Sequence, residues 1–129
     1  MDKLTILIVD DARSERILLR HALTDVRRDL TIYEAADRFE AVECLQKHSI
    51  DLVFLDIQLP GDSGIEILAE LLELSPGIDV VMVSHHSTQD LVVGALRLGA
   101  RGYIVKPFNL ARLRETLSQY GTADNQVDV

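Results

Sequence analysis

The chain of 129 residues has no tryptophan, one cysteine, three prolines and only 5% aromatic residues. Without aromatic bulk the core has to be aliphatic, and leucine, isoleucine and valine supply it within a composition that is 47% hydrophobic. A single cysteine excludes an internal disulfide, so Cys44 is expected to be a packed or half-exposed thiol, and a reducing, cytoplasmic setting follows. No apolar run approaches the roughly 20 residues of a membrane span, and none has the pattern of a signal peptide. Basic residues are also scarce. Thirteen Lys and Arg against 21 Asp and Glu leave a formal charge of -8, which repels phosphate backbones and excludes direct nucleic-acid binding by this segment. At this length one domain is expected, large enough to bury about two thirds of the surface its unfolded chain exposes.

What is present is an alternation. The short apolar runs Leu4 to Val9, Thr31 to Ala35, Leu52 to Leu55, Val80 to Val83 and Gly102 to Val105 are separated by stretches of helical spacing, the pattern of an α/β domain with a parallel sheet. The first, third and fourth runs are almost continuously apolar, as strands covered by helices on both faces must be, and are expected at the centre. Leu19, Ala22, Leu23 and Val26 follow the i, i+3, i+4, i+7 rule. So do Ile65, Leu68, Ala69 and Leu72, and Leu110, Leu113 and Leu117 repeat part of it. Ser75-Pro76-Gly77 is expected to stop the third helix and Gly99 the fourth. Residues 121–129 are polar without helical spacing and are expected to be a flexible tail or the start of a linker after a domain spanning 3–120.

The polar residues that end these runs carry the chemistry. Asp10 and Asp11 close the first run, Asp56 the third, Ser84 the fourth and Lys106 the fifth, with Pro107 directly behind. In an open parallel sheet of order 2-1-3-4-5 the ligand crevice lies beyond the carboxyl ends of strands one and three, which brings Asp10, Asp11 and Asp56 together. Two carboxylates about 4 Å apart repel by roughly 4 kcal/mol at an effective dielectric of 20, so a divalent cation is the natural remedy. Mg²⁺, or Mn²⁺ in its place, suits few carboxylates, several waters and an incoming phosphate. Singly, each residue has a plainer reading: Asp10 or Asp11 as the cap of a helix beginning near Ser14, Asp56 as a loop cap, Lys106 as a solvated strand-end lysine, Tyr103 as an ordinary strand aromatic. Their common position at one end of four strands favours a site.

This ordered set, with Asp56-Ile57-Gln58-Leu59-Pro60, Gly64 beyond it and Tyr103 before Lys106-Pro107-Phe108, resembles the CheY-like receiver domain of two-component response regulators over residues 3 to about 120. The resemblance implies a flavodoxin-like, doubly wound (βα)5 three-layer sandwich with a parallel sheet of order 2-1-3-4-5. It implies a phosphorylation-activated switch in which Asp56 accepts a phosphoryl group from a histidine kinase or phosphotransfer protein. Asp11 and Asp56 would bind Mg²⁺ directly, the backbone carbonyl of Gln58 would add a ligand, and Asp10 would act mainly through water. Ser84 and Lys106 would hold phosphoryl oxygens, and Lys106-Pro107 would form a cis peptide. Ser84 would then draw inward and Tyr103 turn toward the vacated space, changing partner affinity on the surface of the fourth helix, fifth strand and fifth helix. Partners implied are the phosphodonor, an output domain or downstream target, and a second copy in a phosphorylation-dependent homodimer.

One departure stands out. The position after Ser84, usually small in the family, is His85, so His85, with Gln58 and His86, is expected to tune the phosphoryl lifetime. His85-His86 as a transition-metal site is disfavoured because adjacent residues rarely converge on one ion, and His21 and His48 are expected to be solvated. Two other classes compete. An aspartate-nucleophile phosphatase of the haloacid dehalogenase-like class needs a second acid two residues after the nucleophile, where this chain has Gln58. A pseudo-receiver acting only as an interaction module is opposed by the full set of site residues. Enzyme activity is therefore expected to be limited to self-phosphotransfer and autodephosphorylation.

Overall fold

The computed structural model describes residues 3–120; the expected tail at 121–129 lies outside them. In chain order the elements are β1 (Leu4–Val9), α1 (Arg13–Val26), β2 (Leu30–Ala35), α2 (Arg38–Lys47), β3 (Leu52–Leu55), β4 (Gln58–Leu59), β5 (Asp62–Ser63), α3 (Gly64–Leu74), β6 (Asp79–Ser84), α4 (Gln89–Leu98), β7 (Gly102–Val105) and α5 (Leu110–Leu117). The main sheet is parallel with order β2-β1-β3-β6-β7, which is the expected 2-1-3-4-5 once the small β4-β5 ribbon is set aside. The three nearly continuous apolar runs are indeed its central strands.

Alternate side chains divide the core into two layers. Leu7, Val9, Val53, Leu55, Val80 and Met82 pack with α2, α3 and α4 on one face. Ile6, Ile8, Leu52, Phe54, Val81 and Val83 pack with α1 and α5 on the other. Both faces of β1, β3 and β6 are covered, which is why their sequences lack polar alternation.

In α3 the buried stripe is Gly64, Ile67, Leu68 and Leu71, one step around from the Ile65, Leu68, Ala69, Leu72 spacing, and Ala69 is exposed. The helix is apolar over much of its circumference, so several stripes fit the period and the sheet selects one. Gly99 adopts φ 119 at the end of α4, where a left-handed residue closes the helix and its N–H reaches the carbonyls of Ala95 and Leu96. The β4-β5 ribbon, absent from the sequence reading, turns through Pro60-Gly61 with Gly61 at φ 75, suited to a type II turn. Cys44 is half-buried in α2, and burial raises its thiol above the ordinary range, so it stays protonated. His21 is exposed as expected, whereas His48, also exposed, stacks on Tyr33 with ring centroids 4.0 Å apart. No helix among the described residues is long and apolar enough to cross a membrane.

Candidate functional site

The ladder of the sheet continues one residue past the strand ends and sets the polar residues in register. Asp10 N–H donates to the Ala35 carbonyl at 3.0 Å, Asp56 N–H to Val9 at 2.9 Å and Lys106 N–H to Ser84 at 2.8 Å. Asp10, Asp56, Ser84 and Lys106 are thereby brought to one edge, where they line a cleft of ≈ 430 Å³ with Asp11, Gln58, His85 and His86.

Lys106 is the hub. Its side chain is 6% exposed, and Nζ donates to Asp10 Oδ2 at 2.6 Å and Asp56 Oδ2 at 3.2 Å and pairs with Glu15 Oε1 at 3.0 Å. This is not the solvated lysine that Lys106 alone suggests: one ammonium meets three carboxylates. Burial lowers its proton affinity, but hydrogen bonds to Asp10 and Glu15 outweigh that and hold it above its ordinary value. At Asp56 burial pushes the carboxyl up, while the Gln58 N–H and the Lys106 ammonium pull the other way, leaving a net rise. Asp56 Oδ1 accepts from Gln58 N–H at 3.1 Å, so Asp56 caps its own loop as well as facing Lys106. Neither Asp10 nor Asp11 caps α1; the N-cap is Ala12 without a side-chain bond, and Asp10 Oδ1 accepts from Ala12 N–H at 3.0 Å.

Asp10, Asp11 and Asp56 each offer a carboxylate oxygen, all within 4.8 Å of one another, a group that could hold a metal ion. Hard oxygen donors, an exposed Asp11 and an open cleft fit a small, partly hydrated divalent cation. With Glu15 the edge carries four carboxylates against one ammonium, so positive charge is in deficit.

Ser84 is fully buried, and its Oγ accepts from His86 N–H at 3.1 Å. The Tyr103 hydroxyl donates to the His86 carbonyl, tying β7 to the loop after β6. Burial raises Tyr103 above the ordinary phenol range. Tyr103 stands beside the cleft rather than in it. Pro107 is exposed behind Lys106, and the Lys106–Pro107 peptide is cis.

Two contributors, Glu15 and Arg16, were missed in the sequence. Glu15, in the first turn of α1, joins Lys106 and also contacts His85 Nε2 at 3.1 Å; the Lys106 hydrogen bond chiefly keeps its carboxyl below the ordinary range. Arg16 Nη1 donates to the Asp10 carbonyl at 2.7 Å while its Nε donates to Glu34 at 3.0 Å, bracing the β1-α1 connection against β2. Burial pushes Glu34 up, but Arg20 and Arg16 outweigh it and the carboxyl is lowered overall. Gly64, which the sequence places just beyond the Asp56 motif, has its Cα so close to the site loop that a Cβ would fall 2.4 Å from Ile57 Cα and 2.5 Å from the Asp56 carbonyl. Glu15 falls in the first turn of α1, and nothing local in the sequence marks it as pointing at Lys106.

Comparison with known proteins identifies the family. Residues 6–118 match the family model of the response regulator receiver domain. The chemotaxis protein CheY of Listeria monocytogenes is 36% identical over 116 residues, covering 90% of this chain and 97% of that protein. Sporulation initiation phosphotransferase F of Bacillus subtilis is 32% identical over 115 residues, covering 89% and 91%. In the CheX-CheY-BeF3-Mg complex from Borrelia burgdorferi, one chain superposes with a TM-score of 0.84 at 33% identity, covering 94% of this chain and 92% of that one. This chain belongs to the response regulator receiver domain family.

Proposed function

We propose that Asp56 accepts a phosphoryl group from a histidine kinase or phosphotransfer protein and that Ser84, Tyr103 and Lys106 convert its arrival into altered partner binding on the face of α4, β7 and α5. The observation that carries this reading is the Asp56 carboxylate at an open cleft, with a buried ammonium 3.2 Å away and two further aspartates beside it. The related Borrelia structure is a complex with BeF3 and Mg²⁺.

Transfer breaks the P–N bond of the donor phosphohistidine and forms a P–O bond to an Asp56 carboxylate oxygen; the imidazole leaves with the electron pair and takes up a proton. Mg²⁺, or Mn²⁺, held by Asp10, Asp11, Asp56 and the Gln58 backbone carbonyl, would neutralise charge on the transferring group when bound. Lys106 exchanges a carboxylate for a phosphoryl oxygen. The Ser84 hydroxyl gives up its bond from His86 N–H to reach the same group, which frees the loop that the Tyr103 hydroxyl holds, and the ring turns toward the space Ser84 leaves. The altered face is read by an output domain, a target protein or a second copy. A phosphatase of the dehalogenase-like class finds no acid at Gln58, whose contribution to Asp56 is a backbone N–H.

Intact mass after incubation with Mg²⁺ and acetyl phosphate tests this: the wild type gains one phosphoryl group and Asp56→Asn gains none. A wild type of unchanged mass, or an equal gain in Asp56→Asn, overturns it. His85 sets the lifetime. Its exposed imidazole stands at the cleft mouth, where it narrows the in-line approach of hydrolytic water. His85→Ala is expected to shorten the half-life of the phosphoryl label after donor removal, with Gln58 and His86 as secondary influences. A longer half-life with a flattened dependence on pH between about 6 and 8 would make His85 a base that assists water.

A further inference from the structure

We propose that Glu15 is a positioning residue of the phosphorylation site, an acidic strap that competes with the incoming phosphoryl group for Lys106. The proposal rests on the reading of Asp56 as the acceptor. Glu15 stands on α1, outside the set of strand-end residues, yet its Oε1 lies 3.0 Å from Lys106 Nζ and 3.1 Å from His85 Nε2. A carboxylate only accepts, so His85 Nε2 carries a proton toward it, and one oxygen joins α1 to β7 and to the loop after β6 across the cleft. Three carboxylates surround the Lys106 ammonium, Asp10 and Asp56 as hydrogen-bond acceptors and Glu15 as an ion-pair partner at 3.0 Å. A phosphoryl oxygen that approaches Lys106 has to displace one of them.

The three are not equally held. Asp10 makes the shortest contact, at 2.6 Å, and its side chain is 8% exposed; Asp56 bears the phosphoryl group and stays in the site by covalent attachment; Glu15 is 29% exposed, on a helix surface with water at hand. An aspartyl phosphate carries between about -1.5 and -2 charge where the carboxylate carried -1, so negative charge beside Glu15 still grows and repulsion acts on the same partner that water can most readily accommodate. Glu15 is then the ligand that leaves. While bound to Lys106 it stabilises the unphosphorylated site, and its displacement frees the Lys106 ammonium for a phosphoryl oxygen.

Rates of phosphorylation by acetyl phosphate in saturating Mg²⁺ test this. Glu15→Gln keeps the shape of the side chain and is expected to raise the rate about threefold, the effect of removing one partly exposed ion pair. Loss of a negative charge near an anionic donor could by itself raise the rate, so the same substitution is made in the Lys106→Ala background. Competition for Lys106 predicts no gain there, and Glu15→Asp, which keeps the charge on a shorter arm, falls between Gln and wild type. A gain that persists without Lys106 makes Glu15 a diffuse charge effect and overturns the proposal, as does an unchanged rate in Glu15→Gln when the wild type labels normally. No labelling of the wild type would overturn the reading of Asp56, and the strap with it.

Discussion

Gly64→Ala is expected to destabilise the protein by about 3 kcal/mol, at the upper end of what overpacking a buried site costs. The new methyl would meet backbone, at 2.4 Å from Ile57 Cα and 2.5 Å from the Asp56 carbonyl, so no side-chain rotation relieves it. Gly64 is buried, and its N–H donates to the Ile57 carbonyl at 2.7 Å; that bond starts α3 directly against the loop following Asp56. Relief requires α3 to move away from the sheet, taking Ile67, Leu68 and Leu71 with it, or the Asp56 loop to shift. The first lowers stability and the second misplaces the acceptor carboxylate, so labelling by acetyl phosphate should slow in parallel. Urea unfolding followed by circular dichroism measures the loss. An unchanged midpoint and slope would show that the close approach is not needed.

Lys106→Ala is expected to have an effect of similar size with a different signature. Removing one member of a buried ion cluster typically costs about 3 to 5 kcal/mol, because the remaining charges are left without compensation. Here Asp10 and Asp56 lose their common partner, and Asp56 is already disfavoured as an anion by burial. The sign with pH follows from the raised proton affinity of Lys106: its contribution is fully present below the ordinary lysine value near 10.4 and fades only as pH rises through the elevated one, so the loss is complete at neutral pH. In EDTA the variant should show the full deficit. Mg²⁺ should restore more stability to it than to the wild type, since an ion at a hundredfold excess over Kd adds about 2.7 kcal/mol and meets carboxylates no longer shared with an ammonium. Labelling of Asp56 should persist, while the change in hydrogen exchange across residues 84–120 on phosphorylation is blunted. An undiminished exchange response would remove Lys106 from the signalling path. Equal stability in EDTA would mean that its carboxylate contacts contribute nothing net.

Much of this molecule was legible along the chain because its strands are buried on both faces. A parallel strand covered by helices has to be apolar at every position, so the runs ending at Val9, Leu55 and Val83 are visible without an alignment, and the first polar residue after each marks the edge of the sheet. Asp10, Asp56 and Ser84 were found by that rule and Lys106 as the first polar residue after the shorter fifth run, and the fixed register of parallel pairing carried them to one cleft. The tertiary structure alone decided which stripe of α3 faces the core, since Ile65, Leu68, Ala69 and Leu72 satisfy the helical period as well as Ile67, Leu68 and Leu71. It also decided the β4-β5 ribbon, whose two-residue strands are too short for any periodicity. Glu15 and Arg16 belong to the same class. A charged residue on a helix satisfies the sequence pattern equally well in water or in a cleft, and only the packing of α1 against the sheet, through Leu19, Ala22 and Leu23, turns Glu15 toward an ammonium supplied ninety-one positions later (106 − 15).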